Sequence, residues 1–408
     1  MIFKDKFLKN NVLMFFSTSI VSFANLFYQV LVVRNLSIAG YGIFNSLLST
    51  FVIFSLPLVS LSTMIAKFVS HYNNIGQRKK ADFLLSRLLR HMFFIALSFL
   101  AAYLILAPVI KGYLHLDSIV PVYFLGGMLF ATILLTGTLG GLQGFERFVW
   151  FSASSIVSGV LKLVLAFLFI RIGWDLLGAL GAYLVAVIIG LLVTFFPLKK
   201  IFYLDEKAMD INLKEKYRFV IPSIITFGCI ALLTNVDVIL VKHFFPPMEA
   251  GYYSVAQLIG KIVLYIPSAI YIVILPRASG LNAQQKDPKV VLIKALKYTA
   301  ILCLFVLGFY NIFPEFVLGV LTGKVNSEII FLGRLFSITM PFFALLVVLL
   351  LYQLSVSKFM FLKSLVLFSL LQILVISFFH ISLTQVLLTL LANSIILFSL
   401  NLRSAMRY

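Results

Sequence analysis

Twelve runs of apolar residues, each long enough to cross a bilayer, follow one another along this chain. They centre on 11–33, 43–66, 92–110, 122–143, 152–170, 176–198, 219–241, 252–276, 298–318, 331–354, 359–379 and 385–402. A membrane-spanning helix needs about 20 apolar residues. Inside hydrocarbon every backbone N–H and C=O must find its partner within the segment or in a closed barrel. The runs therefore predict an all-α membrane protein of about twelve transmembrane helices. They leave few of the 408 residues for anything else, and only 12% of the chain is charged. A soluble domain carries roughly 25%, so a soluble enzyme is excluded.

The charge that remains is strongly basic, 33 Lys and Arg against 14 Asp and Glu. Its distribution decides what it means. With the N-terminus in the cytoplasm, cytoplasmic segments hold most of the basic residues. The outer loops hold only Arg34, Lys111, Arg171, Lys242 and Lys324. The positive-inside rule then predicts both termini in the cytoplasm, which makes the net charge of +19 a topology signal and removes nucleic acid as a partner. The basic segment 1–10 runs into the first apolar stretch without a small-residue cleavage site, and reads as a retained first span. In 80–90 (KADFLLSRLLR) the basic residues and the leucines fall on opposite helix faces, which predicts an interfacial helix on the anionic leaflet.

The two halves repeat. Arg34 followed by Ala39-Gly40-Tyr41 answers Lys242 followed by Ala250-Gly251-Tyr252, and LLSRLLRH (84–91) answers VLIKALKY (291–298). Pro57 lies 17 residues after Gly40, and Pro267 lies 16 after Gly251. Six spans per half is an even number, so the copies run in parallel through the membrane: a six-helix lobe at 1–200, a cytoplasmic linker at 201–218 and a second six-helix lobe at 219–408. Parallel repeats about an axis normal to the bilayer suit alternating access, with substrate between the lobes. Prolines at matching positions each remove a backbone hydrogen bond and kink the helix, so Pro57 and Pro267 are candidate hinges.

Chemistry of the enzymatic kind has no signature here. No phosphate-binding G-x-x-x-x-G-K-[S/T] loop is present, so no built-in ATPase is expected. The five histidines lack metal spacing, and Cys229 and Cys303 lie within apolar runs. Neither a metal, a cofactor nor an enzymatic activity is expected. In span 4, Gly137, Gly140, Gly141 and Gly144 permit close helix approach. The informative residues are the charges inside spans, each costing roughly 2.5–3.5 kcal/mol at mid-span. Lys162 lies midway along span 5, Lys261 in span 8, Asp237 in span 7 and Arg334 near the start of span 10. Three cations against one carboxylate imply a cavity that takes an anion. Asp237, a buried carboxylate in a chain without an ATPase, is the candidate site for H+ or Na+ coupling. A simple pair between Asp237 and Lys261 would also account for both.

The segments VVRNLSIAGYG (32–42), TNVDVILVKHFFPPMEAGYYSVAQLIGKI (234–262) and ILPRAS (274–279) resemble the polysaccharide transporter family. That family includes the O-antigen and capsule flippases (Wzx-like) within the superfamily of the multidrug and toxin extrusion (MATE) antiporters. The resemblance implies a MATE-like fold in the cytoplasmic membrane. It also implies movement of a polyprenyl-pyrophosphate-linked oligosaccharide for cell-surface polysaccharide biosynthesis, beside membrane lipids and a polysaccharide polymerase as a candidate partner. The family's intramembrane cations are thought to receive the pyrophosphate. By position Lys162, Lys261 and Arg334 would serve, with Arg34 and Lys242 at the outer rim. The alternative is a cation-coupled multidrug or toxin exporter on the same fold, which should carry more intramembrane carboxylates than lysines.

Overall fold

Every apolar run becomes helix, and no strand occurs among the described residues. The computed structural model describes residues 6–199, 201 and 217–406. Most of the expected linker, 202–216, and Lys4 of the basic N-terminal segment lie outside them. In chain order the helices are α1 (Lys6–Asn35), α2 (Ile38–Ser55), α3 (Leu58–Asn74), α4 (Arg78–Tyr113), α5 (Val120–Gly144), α6 (Phe148–Arg171), α7 (Asp175–Leu198), α8 (Tyr217–Phe244) and α9 (Pro247–Tyr265). There follow α10 (Ser268–Ala283), α11 (Lys289–Ile312), α12 (Pro314–Thr322), α13 (Ser327–Ser355), α14 (Phe361–Phe378) and α15 (Leu383–Met406). Eleven stretches are long and apolar enough to span a bilayer, and the bent pair α9–α10 makes up to twelve. They fall in the expected order.

Two of these spans are broken where the repeat predicted. Between α2 and α3 the chain turns at Leu56 and Pro57, where the Val59 and Ser60 amides donate to the Leu56 and Pro57 carbonyls at 3.2 and 3.1 Å. Between α9 and α10 the same happens at Ile266 and Pro267, with the Ile270 amide donating to the Pro267 carbonyl at 2.8 Å. The second break bends its span by 41°. Proline lacks the N–H that would continue the helix, and three-residue bonds replace the missing rungs.

The chain divides into two compact units, Met1–Leu36 with Phe54–Ile224, and Ser37–Ile53 with Ile225–Tyr408. In this division most of α2 groups with the second half of the chain, and the start of α8, through Ile224, with the first. For α2 the reason is a close backbone contact. A Cβ added to Gly42 would meet the Gly251 backbone nitrogen at 3.0 Å, so the first turns of α2 and α9, repeat-related in sequence, lie backbone against backbone. Only glycine permits that approach. Gly251→Ala would push a methyl group into the Ile38 carbonyl, whereas nothing lies within 4 Å of a Cβ at Gly280. Overpacking typically costs about 1–3 kcal/mol. Thermal unfolding of the purified protein should show Gly251→Ala several degrees less stable and Gly280→Ala unchanged or slightly raised.

In the first unit α6 packs on α1 and α7, and α5 packs on α3, α4 and α7. The glycines of α5 make this possible. Cβ atoms at Gly140, Gly141 and Gly144 would strike Ser62, Leu85 and Val69 respectively. The segment 80–90 corrects the sequence expectation. It is the start of α4, which runs 36 residues without interruption. Leu84, Leu85, Leu88 and Leu89 are buried in one core with Ile65, Val69, Leu142 and Phe145. Their apolar face is covered by protein, and Arg87 and Arg90 are exposed on the other side. Nearby, the half-buried Arg147 donates to the Pro197 carbonyl at the end of α7. Burial, with Arg78 adding to it, pushes the Arg147 guanidinium below its ordinary range.

In the second unit α13 is the central helix, touching α9, α10, α11 and α15. The Asn326 side chain caps it, accepting from the Glu328 amide at 2.7 Å. Polar side chains tie the remaining helices together. Gln372 of α14 donates to the Leu233 carbonyl of α8 at 3.0 Å and accepts from Asn393 of α15 at 2.7 Å.

Candidate functional site

Each unit has an intramembrane lysine bonded to a neutral amide, Lys162 in the first and the half-buried Lys261 in the second. In the first unit Lys162 projects from the middle of α6 and is 7% exposed. Its Nζ donates to the Asn25 Oδ1 of α1 at 2.5 Å. It also lies 4.7 Å from the Tyr28 ring centroid and 4.3 Å from that of Tyr183 on α7. The Tyr28 hydroxyl donates to the Ala179 carbonyl at 2.9 Å, which fixes that ring. Asn25 and Tyr28 are one helical turn apart and so share a face. The ammonium has three N–H donors, of which one meets an oxygen while the aromatic faces stabilise the charge by about 2 kcal/mol. No carboxylate pairs with it among the described residues. Such a cation is attractive to an anion.

In the second unit Asp237 sits in α8, fully buried. Tyr253 of α9 donates to its Oδ2 at 2.8 Å, and the Gln257 amide nitrogen approaches Oδ1 and Oδ2 at 3.5 and 3.4 Å. The Gln257 amide nitrogen is also 3.5 Å from the Thr234 carbonyl. Gln257 Oε1 accepts from Asn45 Nδ2 of α2 at 3.0 Å. Asn45 Oδ1 in turn accepts from Lys261 Nζ at 3.2 Å. Lys261 and Asp237 therefore do not form a direct ion pair here; two amides stand between them. Buried polar groups need partners, and this chain gives one to each amide and both charges. Tyr253, Gln257 and Lys261 recur every four residues, which puts them on one face of α9.

The other expected residues are placed separately. Arg334, in the second turn of α13, is exposed, and so is Arg34 in the last turn of α1. Lys242, expected at the outer rim, is 3% exposed in the last turn of α8. Pro57 and Pro267 lie at the two span breaks. Among the described residues no group of His, Cys, Asp and Glu could hold a metal ion. Sequence reasoning did not find Asn25, Tyr28, Tyr183, Asn45, Tyr253 or Gln257. The four-residue stripe on α9 and the one-turn spacing on α1 were the available signals.

Residues 7–282 match the family described as polysaccharide biosynthesis protein. A membrane protein of Methanocaldococcus jannaschii, MJ1375, described as uncharacterized, is 29% identical over 256 residues, or 58% of this chain; the match spans 60% of that relative's length. Among solved structures, an inward-facing MATE family transporter of the MOP superfamily superimposes with a TM-score of 0.75 at 13% identity, covering 95% of each chain. The lipid II flippase MurJ in an inward closed conformation gives 0.73 at 16% identity, covering 98% of this chain and 88% of its own. At these identities the likeness shows a shared fold, all-α and MATE-like. The chain belongs to the polysaccharide biosynthesis protein family, as a multi-pass helical membrane protein.

Proposed function

We propose that this transporter flips a polyprenyl-pyrophosphate-linked oligosaccharide across the cytoplasmic membrane by alternating access. The observation that carries the proposal is the pair of intramembrane lysines, Lys162 and Lys261, held by amides and aromatic rings with N–H donors to spare. A diphosphate loses hydration on entering the membrane, and charged hydrogen bonds from lysine replace it. The polyprenyl tail stays in lipid throughout. Asp237 is the ion-coupling carboxylate for H+ or Na+, and the breaks at Pro57 and Pro267 are the hinges. Arg34 and Arg334, both exposed, and the buried Lys242 serve as secondary contacts. A polysaccharide polymerase is the expected downstream partner. A cationic drug is a poorer fit, because the Asp237 carboxylate already accepts from Tyr253 and Gln257.

The reading is tested in proteoliposomes loaded with a fluorescent polyprenyl-pyrophosphate oligosaccharide. Exposure of the label to an impermeant quencher should rise with the purified protein and an ion gradient. Efflux of cationic dyes without lipid flipping would favour the exporter.

Orientation belongs to the same proposal, with both termini in the cytoplasm. Cys229 and Cys303 are buried and can be replaced in a Cys-less background. A single cysteine at Glu249, in the first turn of α9, should react with an impermeant maleimide on intact cells. One at the exposed Gln284 should react only after permeabilisation. Labelling of Gln284→Cys on intact cells would invert the topology.

A further inference from the structure

The hydrogen bonds that join Lys261 to Asp237 all run one way. Lys261 donates to the Asn45 oxygen, the Asn45 nitrogen donates to the Gln257 oxygen, and the Gln257 nitrogen donates to the carboxylate. Each amide turns its oxygen to the cation and its nitrogen to the anion, so the chain is polarised from end to end. Asn45, Gln257, Asp237 and Tyr253 are at most 2% exposed, and water does not compete with these bonds. Hydrogen bonds in series polarise one another in such surroundings. We infer that Asn45 and Gln257 are a two-amide relay through which the charge on Asp237 sets the availability of Lys261. The inference rests on the proposed roles of those two charged residues, and it adds two positioning residues to them.

The relay has a second arrangement, and a proton selects it. The titratable groups facing Asp237 are Tyr253 and Lys261, both from α9; α2 presents the Asn45 amide, and Gln372 of α14 bonds to the α8 backbone. Tyr253 occupies Oδ2, so a proton taken from solvent goes to Oδ1. The carboxyl O–H must then donate, and the Gln257 nitrogen that faced it is itself a donor. Rotation of the Gln257 amide presents Oε1 to the carboxyl group and turns Nε2 toward Asn45. Asn45 rotates in the same sense, accepting on Oδ1 from Gln257. Its Nδ2 then faces the Lys261 ammonium, donor against donor. Lys261 loses its acceptor, and a half-buried cation without a partner takes the nearest anion. Protonation at Asp237 thus frees Lys261 for diphosphate. Diphosphate binding at Lys261 in turn favours the proton, as linkage between two sites requires.

The experiment uses the full chain, purified in detergent, with inorganic pyrophosphate as the probe. Calorimetric titrations in buffers of different ionisation enthalpy give the protons taken up on binding. Wild type should take up more than Asp237→Asn, with an upper limit of about one proton for a single site. Asn45→Val should bind pyrophosphate at least as tightly as wild type, since Lys261 has lost its tether, with proton uptake reduced to the Asp237→Asn value. Gln257→Met, nearly the same length, should lose the extra uptake too, and carries the test if Asn45→Val does not fold. Wild-type uptake in a folded relay variant would overturn the relay while leaving the roles of Asp237 and Lys261 standing. Wild-type affinity in Lys261→Ala would remove the diphosphate role of Lys261, and the relay with it.

Discussion

Lys162→Ala should abolish flipping of the diphosphate-linked substrate while the protein still reaches the membrane. A charge-assisted hydrogen bond is worth about 1.5–3 kcal/mol, and about 3 kcal/mol corresponds to a loss of roughly 100-fold in rate or affinity. The alanine variant is also expected to fold well. Removing a buried ammonium whose surroundings are Asn25, Tyr28 and Tyr183 leaves one amide oxygen short of a donor and no charge unpaired. Lys162→Arg should keep part of the activity, because the charge persists while a planar guanidinium replaces a compact ammonium between two rings. Initial rates in proteoliposomes, normalised to reconstituted protein, decide the matter. Full activity of Lys162→Ala would remove this residue from the mechanism.

The second large effect is expected at Asp237. Asp237→Ala leaves the Tyr253 hydroxyl without its acceptor in a fully buried place, and the Gln257 amide nitrogen with only the distant Thr234 carbonyl. Each such group costs about 1–3 kcal/mol, so the alanine variant should melt well below wild type. Asp237→Asn keeps an oxygen for Tyr253 and should fold nearly normally. Its transport should no longer respond to an imposed ion gradient. The double variant Asp237→Asn with Lys261→Ala distinguishes coupling from scaffolding. A static ion pair is cured by removing both charges. Here the charges are joined only through Asn45 and Gln257, so no direct pair exists to be cured, and the double variant should stay inactive. Recovery of transport would make Asp237 a scaffold residue.

Much of the fold was legible because hydropathy is a local property. The spans, their order and the breaks at Pro57 and Pro267 follow from apolar runs and from a residue that cannot donate. The segment 80–90 shows the limit of that reasoning. An amphipathic pattern reports that one face is apolar, and lipid and protein cover such a face equally well. Only the long-range packing of Leu84 and Leu85 on Val69 and Leu142 decides between them. Membership of α2 in the second unit had no local sign for the same reason. The near-contact of Gly42 with Gly251 depends on residues more than two hundred positions apart.

The candidate site was legible in its charges and illegible in its neutral partners. A lysine or aspartate in a span stands out by its cost, so Lys162, Lys261 and Asp237 were visible at once. Asn45, Gln257 and Tyr253 are ordinary residues in membrane helices, and Tyr28 and Tyr183 are two of 17 tyrosines. What makes them significant is convergence from different helices. Lys242 shows the converse: its place beside a span end said nothing of its burial, and it is 3% exposed.

Assembly of α2 with α8 and α9 also sets a schedule for making the protein. Asn45 is synthesised 212 residues before Gln257, the amide to which it donates. At about 5–20 residues per second, α2 waits roughly 10–40 s in the membrane before its partner exists. Through that interval Gly42, Asn45 and Ser49, all buried in the finished protein, face whatever surrounds the nascent chain. An insertase or membrane chaperone that shelters polar helix faces therefore has a defined client here. A chain truncated before α8 would keep α2 permanently unpartnered, and is expected to be cleared by membrane proteolysis.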